Sequence, residues 1–129
     1  MENLAIEATK QTPKVSFDAE NHVLEFQGES YPENMAEFAV PILSWLEKYL
    51  EQLGKQTFTV NIELTYFNSS SSKMLLDLFD KLEKEVENKG KNIIVNWIYD
   101  ADDDGIEEYG EEFQEDLESL TFNLVQKEG

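Results

Sequence analysis

The sequence predicts an α/β fold, a single domain over residues 1–129 in which helices partly cover a mixed β-sheet. The length of 129 residues suits one domain, and the 40% of hydrophobic residues is enough for a core. Segments with the two-residue period of strands alternate with segments of helical period, in the order β-β-α-β-α-β-α-β. Strand, helix, strand implies that the two central strands are parallel, with a right-handed crossover between them.

The first predicted elements are two short strands joined by a turn. Residues 1–13 show no period and are expected to form a loose lead-in. Alternating apolar side chains in residues 15–17 and 22–26 flank the turn residues 18–21, which predicts a hairpin. Gly28 is expected to end the second strand.

A long amphipathic helix follows this hairpin. Apolar residues recur at intervals of three and four between Met35 and Leu53, which is the spacing of one helix face. Gly54 is a stop signal for the helix. Pro41 has no amide hydrogen and clashes with the preceding turn, so a kink or a restart is expected there.

The second half of the chain alternates strands and helices. Residues 57–67 and 92–99 are rich in β-branched and aromatic side chains and are predicted to be strands. An apolar face at helical spacing lies between them and is expected to end near Gly90. An acidic segment with apolar residues at helical spacing follows and is predicted to be a helix. Residues 121–125 are predicted to form the last strand.

The composition excludes several classes of function. The absence of cysteine rules out disulfides, thiolate metal sites and cysteine nucleophiles. The net charge of −18, with lysine as the only base besides one histidine, disfavours nucleic acids and anionic membranes as partners. No apolar run approaches the about 20 residues of a membrane span, and no secretory signal is visible, so a cytoplasmic location is expected.

The segment DADDDGIEEYGE, residues 100–111, matches the pattern of a calcium-binding EF-hand loop. Acids at its first, third, fifth and twelfth positions and glycine at its sixth are typical of such loops. However, a strand and not a helix is predicted before Asp100, and Glu107 replaces the usual aliphatic residue. An acidic loop that caps the next helix is therefore favoured and no metal is expected, with a calcium-binding module as the alternative.

A serine hydrolase is a further alternative, because His22 could pair with a serine and an acid. No G-x-S-x-G motif is present, so a strand histidine without a chemical role is favoured. No glycine-rich phosphate loop indicates a nucleotide cofactor either, and no cofactor is expected.

The segment YFNSSSSK, residues 66–73, places four serines between a predicted strand and a predicted helix. Asn68, Ser69, Ser70 and Ser71 are all suitable N-cap residues, and plain capping is the simplest interpretation. The first turn of a helix also has free amides and a positive dipole end, which favour a phosphate. One cap needs one residue, so the remaining hydroxyls are available for a second role.

Two segments, GESYPEN at 28–34 and LTYFNSSSSK at 64–73, together resemble the SiaC family of bacterial regulatory phosphoproteins. The similarity extends over nearly the whole chain, and TP at 12–13 and YGEEFQED at 109–116 agree with it. The resemblance implies a STAS-like domain of the anti-sigma-antagonist type that is not an enzyme.

The resemblance also implies a phosphorylation switch. A SiaB-like protein kinase adds a phosphate after the central strand, and a PP2C-type phosphatase removes it. The unphosphorylated form binds and activates an effector, a diguanylate cyclase or another protein, which raises cyclic di-GMP and favours biofilm formation or aggregation.

The family's acceptor threonine falls on Ser69, with Ser70 and Ser71 as alternative acceptors among the neighbouring serines. Both motif segments are expected to join a strand to a helix, so they can lie at one end of the sheet and form a partner surface. The expected partner-binding residues are Tyr31, Pro32, Glu33, Asn34, Tyr66, Asn68, Ser70 and Lys73.

Overall fold

A computed structural model describes residues 1–127 as one six-stranded sheet with three helices. The strands lie side by side in chain order. The elements are β1 (Leu4–Ile6), β2 (Lys14–Asp18), β3 (Val23–Ser30), α1 (Met35–Gln52), β4 (Thr57–Phe67), α2 (Ser69–Lys89), β5 (Asn92–Asp100), α3 (Asp104–Glu115) and β6 (Thr121–Lys127).

The sheet is mixed, as the sequence predicts. Strands β1 to β3 pair antiparallel, whereas β3 to β6 pair parallel, each through one helical crossover. Right-handed crossovers that all step in the same direction place every helix on the same face of the sheet. Burial along β4 agrees, because Phe58, Val60 and Ile62 are buried while Thr59 and Asn61 between them are partly exposed. The protein therefore has two layers, and one sheet face is open.

The amino-terminal segment is not the loose lead-in that the sequence predicts. Residues 4–6 form β1, which pairs with β2 in a register that places Leu4 opposite Phe17. The indole N–H of Trp45 on α1 donates to the carbonyl of Glu2 at 2.8 Å. A three-residue strand is too short for a visible period, and tertiary contacts hold it in place.

Gly28 does not end β3, contrary to expectation. The strand continues to Ser30, and its register against β4 shifts between Gly28 and Glu29, which is a β-bulge. Gly28 has a φ of 126°, a conformation that side-chain-bearing residues rarely adopt. Leu64 and Tyr66 are opposite Gly28 and Glu29, which leaves Thr65 of β4 as the extra residue, so the glycine marks the position opposite a bulge and not the end of its strand.

Helix α1 runs from Met35 to Gln52 without the predicted restart at Pro41. Its apolar face is buried against the sheet on both sides of the proline, at Ala39 and Ile42. Packing of an amphipathic face contributes most of a helix's stability in a protein, and here it outweighs one missing hydrogen bond.

Helix α3 approaches the sheet closely through Gly110. A Cβ atom added there would lie 2.4 Å from Cδ1 of Trp97 and 2.6 Å from Cδ2 of Leu124. The Trp97 indole N–H donates to the carbonyl of Ile106 at 2.8 Å, so the buried ring is hydrogen-bonded as well as packed. None of the helices within residues 1–127 has the length and apolar character that crossing a bilayer requires.

Candidate functional site

The segments 28–34 and 64–73 leave the sheet side by side. Strands β3 and β4 are parallel neighbours, and their last residues, Ser30 and Phe67, are in register. The backbone N–H of Asn68 donates to the carbonyl of Ser30 at 3.1 Å. Residues 31–34 and 68–72 therefore lie together at the carboxyl end of the sheet, the arrangement that the sequence predicts.

Asparagine caps the helix that follows each of these strands. The side chain of Asn34 accepts a hydrogen bond from the amide of Glu37 at 3.1 Å. The side chain of Asn68 accepts one from the amide of Ser71 at 3.0 Å and one from the hydroxyl of Ser70, also at 3.0 Å. Asn34 and Asn68 thus satisfy free amides of the first turns, which is the usual reason for asparagine at a helix start.

The four serines after Asn68 occupy different environments. Ser69 is exposed, and its hydroxyl makes no hydrogen bond within residues 1–127. Ser70 and Ser72 are half-buried, and the Ser70 hydroxyl donates to the capping side chain. Ser71 is fully buried. A modifying enzyme that approaches the folded protein therefore meets the hydroxyl of Ser69 first.

The buried hydroxyl of Ser71 joins α2 to the end of β3. It donates to the backbone carbonyl of Ser30 at 2.9 Å and lies 2.7 Å from the Ser30 hydroxyl. Ser30 is likewise fully buried. This contact fixes the first turn of α2 against the start of the segment that contains Tyr31 and Asn34.

Exposed apolar side chains lie on three elements near the serine turn, at the end of β4, on α2 and on α3. Tyr66 is 52% exposed, and its ring meets that of Tyr31 edge to face. Tyr109 is 47% exposed, with its ring 4.9 Å from that of Phe67, and Leu76 follows Ser69 by two turns of α2. Aromatic residues are enriched at protein interfaces, so this surface has the composition of a docking site.

Sequence reasoning missed two of these residues, Leu76 and Tyr109. The helical period assigns Tyr109 to the buried face with Ile106 and Phe113, but its side chain lies at the margin of that face. Leu76 lies outside the buried stripe of α2. An apolar residue off the periodic stripe is the signal that could have identified Leu76.

Lys73 contributes the positive charge nearest the serine turn on α2. It forms an ion pair with Asp77 at 3.3 Å, in which both side chains are mostly exposed. Such a pair contributes little to stability and leaves the ammonium free to exchange partners. The remaining predicted residues, Pro32 and Glu33, line a groove beside β1, where Glu33 is exposed and Pro32 is buried.

The acidic segment 100–111 does not form the calcium site that its pattern allows. Strand β5 runs into Asp100, and Asp103 is the N-cap of α3, where it accepts from the amide of Ile106 at 3.1 Å. Within residues 1–127 no group of three or more potential ligands is arranged to hold a metal ion. The loop-and-cap interpretation accounts for these contacts, and the calcium alternative is not supported.

His22 is in a turn and not in a strand, contrary to expectation. It has a φ of 59°, and its Nδ1 lies 2.6 Å from the hydroxyl of Tyr49. Burial raises the pKa of Tyr49 to about 12. His22 precedes β3, whereas the serines lie beyond the opposite end of the sheet. The eight residues of β3 between them span about 26 Å. The arrangement therefore does not bring His22 to the serine turn.

Comparison with known proteins gives a consistent assignment. A family model described as "SiaC family regulatory phosphoprotein" matches residues 6–127 of the chain. An uncharacterized protein of Pseudomonas aeruginosa strain UCBPP-PA14 is 35% identical over 116 residues, which are 90% of each chain.

Solved structures agree with the family match. SiaC of Pseudomonas aeruginosa superposes with a TM-score of 0.84 at 33% identity, over 98% of both chains. SiaC also matches in a crystal structure where it is the activator in complex with the diguanylate cyclase SiaD, with a TM-score of 0.89 at 34% identity, over 96% of this chain and 99% of that one. The chain belongs to the SiaC family of regulatory phosphoproteins.

Proposed function

We propose that this protein is a non-enzymatic switch whose unphosphorylated form binds and activates a diguanylate cyclase. The observation that carries the proposal is the exposed hydroxyl of Ser69 at the first turn of α2, next to a surface rich in exposed aromatic rings. The likeness to a cyclase activator at 34% identity supports this choice of effector. Higher cyclic di-GMP, with biofilm formation or aggregation, would be the cellular output.

Phosphorylation of Ser69 is proposed to turn this activator off. A phosphate adds a charge of about −1.5 to −2, and a helix N-terminus tolerates that charge. The chain has no arginine to hold a phosphate in a bidentate grip, so the group stays at the surface and the fold is retained. An interface that fits a neutral hydroxyl would then have to desolvate a doubly charged group, and affinity for the cyclase falls.

The proposed partner surface combines the residues expected from sequence with two found in the structure. Tyr31 and Tyr66 form its centre, Asn34 and Asn68 fix the two helix starts, and Lys73 is the adjacent cation. Its outer members are Glu33, Ser70, Leu76 and Tyr109, and the buried Pro32 supports them from below. Tyr66, Ser70, Lys73, Leu76 and Tyr109 lie on strands or helices, whereas residues 31–34 lie on the short connection between β3 and α1.

A kinase and a phosphatase complete the proposed cycle, and a cytoplasmic location suits all three partners. The kinase is of the SiaB-like type and the phosphatase of the PP2C type. The test is to incubate the protein with such a kinase and ATP, locate the phosphate by mass spectrometry, and assay a purified cyclase with both forms. We expect phosphate on Ser69 and cyclase activation by the unmodified form alone. A protein that takes up no phosphate, or that activates the cyclase equally in both forms, contradicts the proposal.

A further inference from the structure

We propose that the buried hydroxyl pair of Ser30 and Ser71 sets the rotation of α2, so that the kinase is offered Ser69 and not its neighbours. The inference rests on the proposed function, because it concerns the acceptor of that phosphorylation. Ser71, formally an alternative acceptor, is then a positioning residue, and Ser30 is its partner.

Burial singles out these two residues. Ser30 and Ser71 are the fully buried polar side chains within residues 1–127, each with 0% exposure, and they contact each other. A buried hydroxyl without a hydrogen bond destabilises a fold, and the Ser71 hydroxyl is the one partner of the Ser30 hydroxyl within residues 1–127. Capping does not require Ser71 to be serine, because Asn68 accepts from the backbone amide at position 71.

Three hydrogen bonds converge where β3 meets α2. The carbonyl of Ser30 accepts from the amide of Asn68 at 3.1 Å and from the hydroxyl of Ser71 at 2.9 Å, and the two serine hydroxyls are 2.7 Å apart. The Asn68 bond fixes the point where the chain enters the helix. The Ser71 bonds add a second point one turn later, and two points on a helix determine its rotation about its axis.

This rotation decides which serine is exposed. Successive helix residues are about 100° apart around the axis, so Ser69 lies roughly 200° from an inward-facing Ser71. Ser70 and Ser72 lie about 100° to either side. The observed environments follow this order, with Ser69 exposed, Ser70 and Ser72 half-buried and Ser71 buried. Without the inward contact, a rotation of the first turn by roughly half of this 100° spacing would expose Ser70 or Ser72 about as much as Ser69.

The test compares Ser71→Ala with Val86→Ala, a truncation of a half-buried side chain near the other end of α2. Both substitutions loosen the helix, but only the first removes the contact with Ser30. After treatment with the kinase and ATP, we expect the unaltered protein and Val86→Ala to carry phosphate on Ser69. In Ser71→Ala at least about a tenth of the phosphate should move to Ser70 or Ser72.

Hydrogen exchange gives a second readout that needs no kinase. The amides of Asn68 and Ser72 are hydrogen-bonded at the start of α2, and they should exchange about tenfold faster in Ser71→Ala than in Val86→Ala. If Ser71→Ala does not fold, the double variant Ser30→Ala with Ser71→Ala replaces it, because it leaves no unpaired buried hydroxyl.

The outcomes separate this inference from the proposed function. If the kinase transfers no phosphate to the unaltered protein, the proposed function is wrong. The exchange measurement still tests the positioning role in that case. Phosphate on Ser71 of the folded protein, phosphate confined to Ser69 in Ser71→Ala, or unchanged exchange in Ser71→Ala overturns the inference.

Discussion

The rings of Tyr31 and Tyr66 meet edge to face, with their centroids 5.7 Å apart. Tyr31 lies just beyond the end of β3, and Tyr66 is the second-last residue of β4. Tyr31 is half-buried and supports the more exposed ring of Tyr66. Such a supported aromatic side chain can be buried by a partner at low entropic cost, because its rotamer is already fixed.

Tyr66→Ala is therefore expected to weaken binding to the cyclase by about 30-fold or more, which corresponds to the ~2 kcal/mol typical of an interface hot spot. Isothermal titration calorimetry with the purified cyclase measures this change. The control is Lys55→Ala, an exposed substitution before β4 at the opposite end of the sheet, which should leave affinity unchanged. Equal affinities for the two variants would place the partner surface elsewhere.

Substitutions at Ser69 should separate the two states of the switch. Ser69→Ala cannot be phosphorylated and keeps a small neutral side chain, so we expect permanent cyclase activation. Ser69→Asp adds a negative charge to the proposed interface and should lower cyclase affinity at least about tenfold, or ~1.4 kcal/mol. Circular dichroism should show equal folding of the two variants, because the site is exposed. Equal cyclase binding by the two would refute the switch.

The sequence predicts the central part of this fold well and its margins poorly. Strand β4 and the helix that follows it have strong periods, so their residues could be assigned directly. The short strand β1 and the bulge at Gly28 depend on contacts with distant residues, which no local pattern encodes.

The candidate site was predictable to a similar degree. The serine turn and the residues near Tyr31 could be placed at one end of the sheet from the order of elements alone. The different roles of the serines could not, because the burial of Ser71 depends on Ser30, which is 41 residues away in the sequence. Likewise, the exposure of Tyr109 depends on how α3 packs against the sheet, which its helical spacing does not show.

Asp103 should matter for stability and not for calcium binding. Its side chain caps α3, so Asp103→Ala should lower the free energy of unfolding by about 1 kcal/mol. Asp102→Ala, an exposed neighbour outside the cap, should change it by less than about 0.5 kcal/mol. Urea denaturation measures both. Micromolar calcium should not alter the melting temperature; a rise of many degrees that is lost in Asp100→Ala with Glu111→Ala would restore the calcium alternative.

Gly110 should not tolerate a side chain. A methyl group there would meet the buried ring of Trp97 and the side chain of Leu124, so Gly110→Ala should destabilise the fold by about 1–3 kcal/mol. Gly105 in the same helix has only an ordinary contact at 3.6 Å, and Gly105→Ala should be neutral or stabilising by up to about 1 kcal/mol. Thermal denaturation of the pair tests the contrast, and equal effects would contradict the close approach of α3.

The raised pKa of Tyr49 predicts a loss of stability in alkali. The folded state holds the phenol proton more tightly than the unfolded chain, in which the pKa is about 10. The contribution to stability is therefore complete below pH about 10 and is lost as the pH rises to about 12. Denaturation between pH 8 and 12 should show a shallower decline in Tyr49→Phe than in Tyr66→Phe. Identical declines would show that Tyr49 does not carry the effect.

The parallel pairing of β3 with β4 has a consequence for how the protein is made. The two halves of the proposed phosphoacceptor region, residues 31–34 and 68–72, are separated by the crossover through α1, so they meet only when the non-local pair of β3 and β4 has formed. Contacts of this kind form slowly compared with local ones. A chain in which β3 and β4 are not paired therefore does not display the assembled surface. Cyclase activation through this surface would then be restricted to folded molecules.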